Sequence, residues 1–452
     1  MKKLNTLAAL TFAVLLFTSP SYTQTFNVLY NFQGAANGGN PGGLLAQGRD
    51  GNLFGTAGQG AHNGGIIFSV TTEGNLTAIF SRQGEGNGVG GGLTLGTDGE
   101  FYGSTPGGGL DDLGTVFKIA PGGKGTLLYS FTGGSDGSTP VAAPIQVGDG
   151  KFYGTTDAGT AYEINSSGVF TALNTLPGPS MSPLVLATDG NFYGTSYFGG
   201  TSDVGTVYRM SRSGEVTILY SFDTIHGAYP VASLMQATNG KLYGATQAGG
   251  TYNDGVLFEL EASGIAVMHN FGDPNYPNDG IQPLAGLIQA TDGNLYGVTV
   301  AGGGGNAACS SGCGVIFRMG VDGTYSILHA FDGSDGAGPR SSLIQHTNGN
   351  IYGLAPNGGT SDQGNVYSLS VALGPFVRSV PSSGTIGQIV GILGQGLTGT
   401  TSVTLNGMPM TFTVVSDTFI KATVPTGATT GYVTVSAPSG TLTSNVPFHV
   451  IP

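Results

Sequence analysis

Residues 231–271, VASLMQATNGKLYGATQAGGTYNDGVLFELEASGIAVMHNF, contain four strand-sized runs separated by turn residues. The first, residues 231–237, reaches Asn239-Gly240, a pair that supplies the positive φ angles of a tight hairpin, and returns as KLYGATQ. The glycine-rich loop AGGTYND leads to residues 255–261, and Ala-Ser-Gly turns the chain into residues 265–271. Four such runs in succession describe an antiparallel meander, the unit of a propeller blade.

The pattern occurs seven times. DGNLFG at 50–55, DGEFYG at 98–103, DGKFYG at 149–154, DGNFYG at 189–194, NGKLYG at 239–244, DGNLYG at 292–297 and NGNIYG at 348–353 each join a turn, a short strand, an aromatic and a glycine. A third-strand signature follows every one, as in Val116-Phe117, Val207-Tyr208 and Ile316-Phe317, yet only six fourth strands follow a third. After VYSLSVA the composition changes. Residues 25–32, TFNVLYNF, have the fourth-strand pattern of TILYSF at 217–222, so the N-terminal strand is expected to complete the last blade and close the ring. The seven recurrent aromatics, from Phe54 to Tyr352, are expected to fill the wedges between blades, because one position in every blade is what architecture requires.

Composition agrees with an all-β chain. Among 452 residues there are 83 glycines and 42 Phe or Tyr, no Trp, and acids outnumber bases 26 to 14 for a net charge of −12. The scattered acids offer no basic track for nucleic acid and no polybasic patch for anionic lipid. The N-terminus, MKKLNTLAALTFAVLLFTSPSYTQT, has the tripartite form of a secretory signal peptide, and no later run is apolar and long enough for a transmembrane segment. In an oxidising compartment Cys309 and Cys313, four residues apart, are expected to pair, with free thiols or a metal as the alternatives.

From residue 374 the repeat gives way to about 80 residues with at least six short alternating runs rich in Val and Thr, the pattern of a small β-sandwich. The expected organisation is a signal peptide at 1–23, a seven-bladed β-propeller closed by an N-terminal strand at 24–372, and an immunoglobulin-like β-sandwich at 373–452. GILGQGLTGTTSVTLNG at 391–407, VVSDTFIKATVPTG at 414–427 and SGTLTSNVPFHV at 439–450 resemble the IPT/TIG family of immunoglobulin-like domains. Residues 25–370, with LYSF, DGNLYG and GGTSDVGTVY as recurring forms, resemble the glycine- and aromatic-rich tandem repeats of choice-of-anchor exported bacterial proteins. That resemblance implies export and surface association.

No motif for chemistry stands out. There is no P-loop, no dinucleotide fingerprint in a strand–turn–helix setting and no nucleophile elbow. His62, His226, His269, His329, His346 and His449 do not converge by spacing, and His269 and His329 replace the tyrosine of ILYSF. Asp111, Asp112, Asp203, Asp254 and Asp362 fall in loops between second and third strands, and Glu85, Asp136, Asp279 and Asp335 between blades. They read first as turn formers, then as calcium sites of modest affinity, although no EF-hand-type loop occurs, and last as a glycosidase pair. No cofactor is implied otherwise. Two functions of different class follow. One is a non-catalytic secreted or cell-envelope binding protein whose partner is an extracellular polymer, such as a glycan, or a surface protein, with Tyr197, Phe198, Tyr252 and Tyr276 stacking on the ligand. The other is a secreted polysaccharide hydrolase or lyase using acids at the propeller mouth.

Overall fold

A computed structural model describes residues 24–34, 37–60, 63–83 and 90–451. The signal-peptide reading, His62 and Glu85 fall outside these residues.

Each repeat unit folds into one four-stranded antiparallel sheet, and seven such sheets succeed one another. In the unit quoted above the strands are Met235–Gln236, Leu242–Thr246, Val256–Glu261 and Gly264–Asn270, from innermost to outermost. The last sheet contains Ile344–Gln345, Ile351–Ala355 and Asn365–Ser370, and its outer strand is the N-terminal Thr25–Asn31. The N-terminal strand reproduces a detail of the other fourth strands: its register against the third strand shifts between Val28 and Tyr30, as it does at Val116/Phe117, Val207/Tyr208 and Ile316/Phe317. The same bulge at the same place identifies it as a true fourth strand. The ring therefore closes through the expected N-terminal strand.

The Asp-Gly turn explains the spacing of the repeat. In DGEFYG, Asp98 Oδ1 accepts the Glu100 amide at 3.1 Å while Oδ2 accepts the Tyr102 hydroxyl at 2.7 Å. Asp149, Asp189 and Asp292 hold Tyr153, Tyr193 and Tyr296 in the same way, and Asn239 and Asn348 donate to Tyr243 and Tyr352. Burial and the Asp189 carboxylate push the Tyr193 hydroxyl up to about 12, so it stays a donor. With their polar tips satisfied, most of the tyrosines are buried between blades: Tyr102 stacks on Phe152 of the next blade at 3.7 Å, as Phe54 in the first blade does on Phe101 at 4.2 Å, while Tyr193 stays partly buried. The expected wedge-filling role of these rings is what the packing displays.

Adjacent blades are also clamped near the axis. The glutamine of an innermost strand accepts, through Oε1, the amide of the threonine ending the preceding blade's first strand: Gln146 with Thr97 at 2.8 Å, Gln236 with Thr188 at 2.8 Å, Gln289 with Thr238 at 2.8 Å, Gln345 with Thr291 at 3.0 Å and Gln47 with Thr347 at 3.1 Å. In four of these pairs the glutamine Nε2 returns a bond to the threonine hydroxyl. The two remaining interfaces lose both partners together. Arg49 and Leu95 stand at one, Gly148 and Leu186 at the other.

The sandwich pairs Arg378–Val380, Ile389–Leu393, Phe419–Thr423 and Thr411–Ser416 in one sheet. The other contains Met408–Pro409, Ser402–Leu405, Val433–Ala437 and Gly440–Thr443. Its core includes Val390, Ile392, Leu405, Ile420, Val433 and Phe448. It docks on the face of the propeller that carries the Asp-Gly turns, and it reaches the two unclamped interfaces. At the first, the Arg49 guanidinium lies 4.5 Å from the Phe419 ring centre and the Thr418 hydroxyl donates to the Arg49 carbonyl at 2.6 Å. At the second, a Cβ on Gly148 would stand 2.7 Å from Ile451 and 2.8 Å from the Gly384 backbone. Close approach is what requires glycine there.

Candidate functional site

Because first and second strands are antiparallel, the start of each first strand and the loop leaving each second strand share one face. Tyr197 N donating to Pro179 O, at 2.7 Å, ties those two segments together in the fourth blade. This face is opposite the sandwich. Its centre is a cavity of about 350 Å³ walled by the beginnings of all seven innermost strands, including Gly43, Gly91, Ser182, Ser233, Gly286 and Ser342. Arg340 stands at its rim, with Nη2 donating to Asn40 Oδ1 at 3.1 Å, and among the described residues no carboxylate lines it. At the other end of the same strands the sandwich forms part of the wall, with Arg378, Val380 and Val446 facing Gln47, Gln289 and Gln345. Arg378 Nη2 donates to Gln345 O at 2.7 Å, and burial lowers its guanidinium to about 10. The sandwich thus sits across one mouth and leaves the other open.

The aromatics expected to meet a ligand lie on the open face in two groups. Tyr197 and Phe198 pack edge to face at 4.6 Å, and Tyr229, which sequence reading passed over, joins them at 5.1 Å from Tyr197. The φ of +58° at Tyr229 turns its ring toward that loop. Tyr252 and Tyr276 gather around the next interface. The Tyr252 hydroxyl donates to Asp273 at 3.2 Å, and Tyr276 packs against His269 and Tyr325. Phe198, Tyr252 and Tyr276 retain 42%, 36% and 44% exposure, enough for one ring face or edge to meet a partner.

Most of the loop acids are occupied in building the loops, while Asp111 is exposed next to Asp112. Asp112, Asp203 and Asp362 have φ of 52–57° and accept the amides of Gly108, Gly199 and Gly358 at 2.6–2.9 Å. Asn253 takes that position in the fifth blade, which shifts Asp254 one residue onward. Between blades, Asp136 accepts Tyr129, Thr132 and Gly134, while Asp279 and Asp335 accept His269 and His329 at 3.0 and 2.8 Å. His226 pairs with Asp223, and His346 Nε2 meets Gly51 O at 2.9 Å. Asp254 differs from the others, for burial and the neighbouring Asp279 charge raise its carboxyl above the ordinary range. Asp157 is also raised, by burial alone. Among the described residues, no group of three or more His, Cys, Asp or Glu could hold a metal. Cys309 and Cys313 form a disulfide that closes the loop of the sixth blade.

The Gloeobacter/Verrucomicrobia repeat profile matches residues 15–170 and 179–411. The chain belongs to this repeat family. The IPT/TIG domain profile matches residues 375–450, covering the sandwich. No curated protein sequence matches the chain. Among solved structures, a gluconolactonase from Xanthomonas campestris is similar at 12% identity, over 76% of this chain and 89% of that one, with a TM-score of 0.40. The extracellular domain of a hybrid two-component system from B. thetaiotaomicron is similar at 12% identity over 91% of this chain and 52% of that one, with a TM-score of 0.49. PorZ, a surface component of the type-IX secretion system of Porphyromonas gingivalis, is similar at 15% identity over 89% and 58%, with a TM-score of 0.46. The chain thus spans little more than half the length of the latter two. No helix among the described residues is long and apolar enough to cross a membrane.

Proposed function

We propose that this repeat protein is a non-catalytic binding protein of the cell exterior or envelope, which holds an extracellular glycan on the open face of its propeller. The observation that carries the reading is the chemistry of that face. A well lined by glycines, by Ser182, Ser233, Ser341, Ser342 and Asn40, and by apolar residues such as Leu44, Val141, Met181 and Leu284, with Arg340 at its rim, offers both hydrogen bonds to sugar hydroxyls and apolar surface to sugar faces, and among the described residues it holds no acid pair for glycoside cleavage. Around it, half-exposed rings at Phe198, Tyr252 and Tyr276 offer stacking surfaces. The signal peptide expected at residues 1–23 and the oxidised cysteine pair support export. Incubating the purified protein with a panel of polysaccharides, with retention and released reducing ends measured together, tests the reading. Retention without release supports it.

Asp254 gives the hydrolase or lyase reading its one specific support, since a carboxyl raised by burial and a neighbouring acid is what general acid catalysis requires. Release of reducing ends that Asp254→Asn abolishes would favour that reading instead.

A further inference from the structure

The fourth strands pack against one another around the outside of the ring in a repeated way. A residue of one fourth strand, opposite the third-strand residue just before the register shift, such as Val116, Leu257 or Ile316, is covered by a residue near the start of the next blade's fourth strand, opposite Ile164, Met319 or Leu369. Phe170 lies over Tyr129 at 3.9 Å, Tyr325 over His269 at 3.9 Å and Phe26 over His329 at 3.7 Å, with rings within 14° of parallel. At other interfaces Leu76 packs in the cluster that holds Tyr30, and Ile265 in the cluster that holds Tyr220.

Between the first and second blades the covering position is Gly125, paired in register with Ile119 as Tyr325 is with Met319. The residue left uncovered is Phe80, opposite Ile67 as His329 is opposite Ile316. Phe80 is 37% exposed. The backbone does not require glycine at 125, for its φ is not in the left-handed region. A Cβ there would meet Phe80 at 3.6 Å, an ordinary contact. What the missing side chain leaves is a slot of about 300 Å³ walled by Phe80, Phe117, Ile67, Ile119 and Leu127, with Thr105, Thr115 and Thr126 hydroxyls at its margins. The Thr105 and Thr115 hydroxyls bond each other at 2.7 Å.

We infer that this slot is a binding site for a small ligand bearing a single planar aromatic ring, of the phenol class, which stacks on Phe80 as Phe170, Tyr325 and Phe26 stack on their partners. The fold itself shows at three equivalent interfaces what such a cleft accepts. The volume lies at the lower end of small-molecule sites and suits one ring with a short substituent. A pyranose is disfavoured, because it carries more hydroxyls than the marginal threonines, two of which already bond each other, can satisfy, and the rest would be desolvated against apolar walls. The slot lies on the outer edge of the ring, away from the open well, and its occupancy is independent of the glycan reading.

The test uses 4-fluorophenol and the full-length protein, read by fluorine resonance broadening, with methyl glucoside as a non-aromatic competitor. The expected result is saturable broadening that phenol displaces and methyl glucoside does not. Gly125→Phe supplies the ring from the chain itself, so it should abolish probe binding and shift the melting temperature upward. Phe80→Ala removes the stacking face and should weaken binding about tenfold. No broadening at millimolar probe, displacement by the glucoside, or undiminished binding by a folded Gly125→Phe protein would overturn the inference. Should Gly125→Phe fail to fold, undiminished binding by Phe80→Ala would do the same.

Discussion

At the scale of single residues, the recurring Asp and Tyr are one device. The carboxylate that shapes the turn through Oδ1 also satisfies, through Oδ2, the hydroxyl of a ring four residues on, which lets a tyrosine serve as a core residue. Tyr296 is fully buried and bonds Asp292 at 2.8 Å. Tyr296→Phe should therefore lower stability by about 1 kcal/mol without altering the fold, as measured by chemical denaturation, and Asp292→Ala should cost more because the turn loses its side-chain acceptor as well. An equal or greater loss in Tyr296→Phe would show that the hydroxyl matters more than the turn. Sequence reading recognised both residues but as separate signals. The turn propensity of Asp-Gly and the size of Tyr are local properties, whereas the bond between them depends on how the hairpin curls.

At the scale of the strand, the Gln–Thr clamps went unread because their partners are about 50 residues apart and belong to different repeats. A trace of them was nevertheless present. Where Gln is lost at Leu95 and Leu186, Thr is lost one unit earlier at Arg49 and Gly148, and both exceptions lie under the sandwich. Gly148→Leu would drive a side chain into Ile451 and the Gly384 backbone, contacts too close to be relieved by rotation alone. It is expected to loosen the sandwich at a cost of about 1–3 kcal/mol. Protease cleavage between residues 371 and 377 should accelerate while the propeller stays intact, and an unchanged cleavage rate would mean that the remaining contacts, those of Arg49 with Phe419 and Thr418 and of Arg378 with Gln345, hold the dock without the close approach at Gly148. The N-terminal strand, by contrast, was legible, since its alternation matches the other fourth strands and one blade lacked a partner. Phe32 at its end is fully buried among Ile66, Phe68 and Val366. Phe32→Ala should destabilise the ring by about 3–5 kcal/mol, and deletion of residues 25–32 should send the protein into aggregates that light scattering detects.

At the scale of the whole molecule, repetition made the architecture readable, because seven copies of one pattern constrain each other. The sandwich was readable from its own alternating strands. Its seat on the propeller was not, for a docking surface between two domains leaves no period in the chain. The aromatic readings divided similarly: Tyr197 and Phe198 were visible as loop rings, while Tyr229 entered their cluster only through a left-handed backbone that sequence did not announce.

The position of the sandwich has one more consequence. With the sandwich across one mouth, the central well opens toward the other face, and under the glycan reading proposed above a long polymer would approach it from that face. Such a polymer would offer the well a terminus or a protruding branch. Occupancy there would then follow the number of chain ends in a sample and not its mass, so that short, heavily branched material would saturate the protein at lower weight than long linear strands of the same sugar.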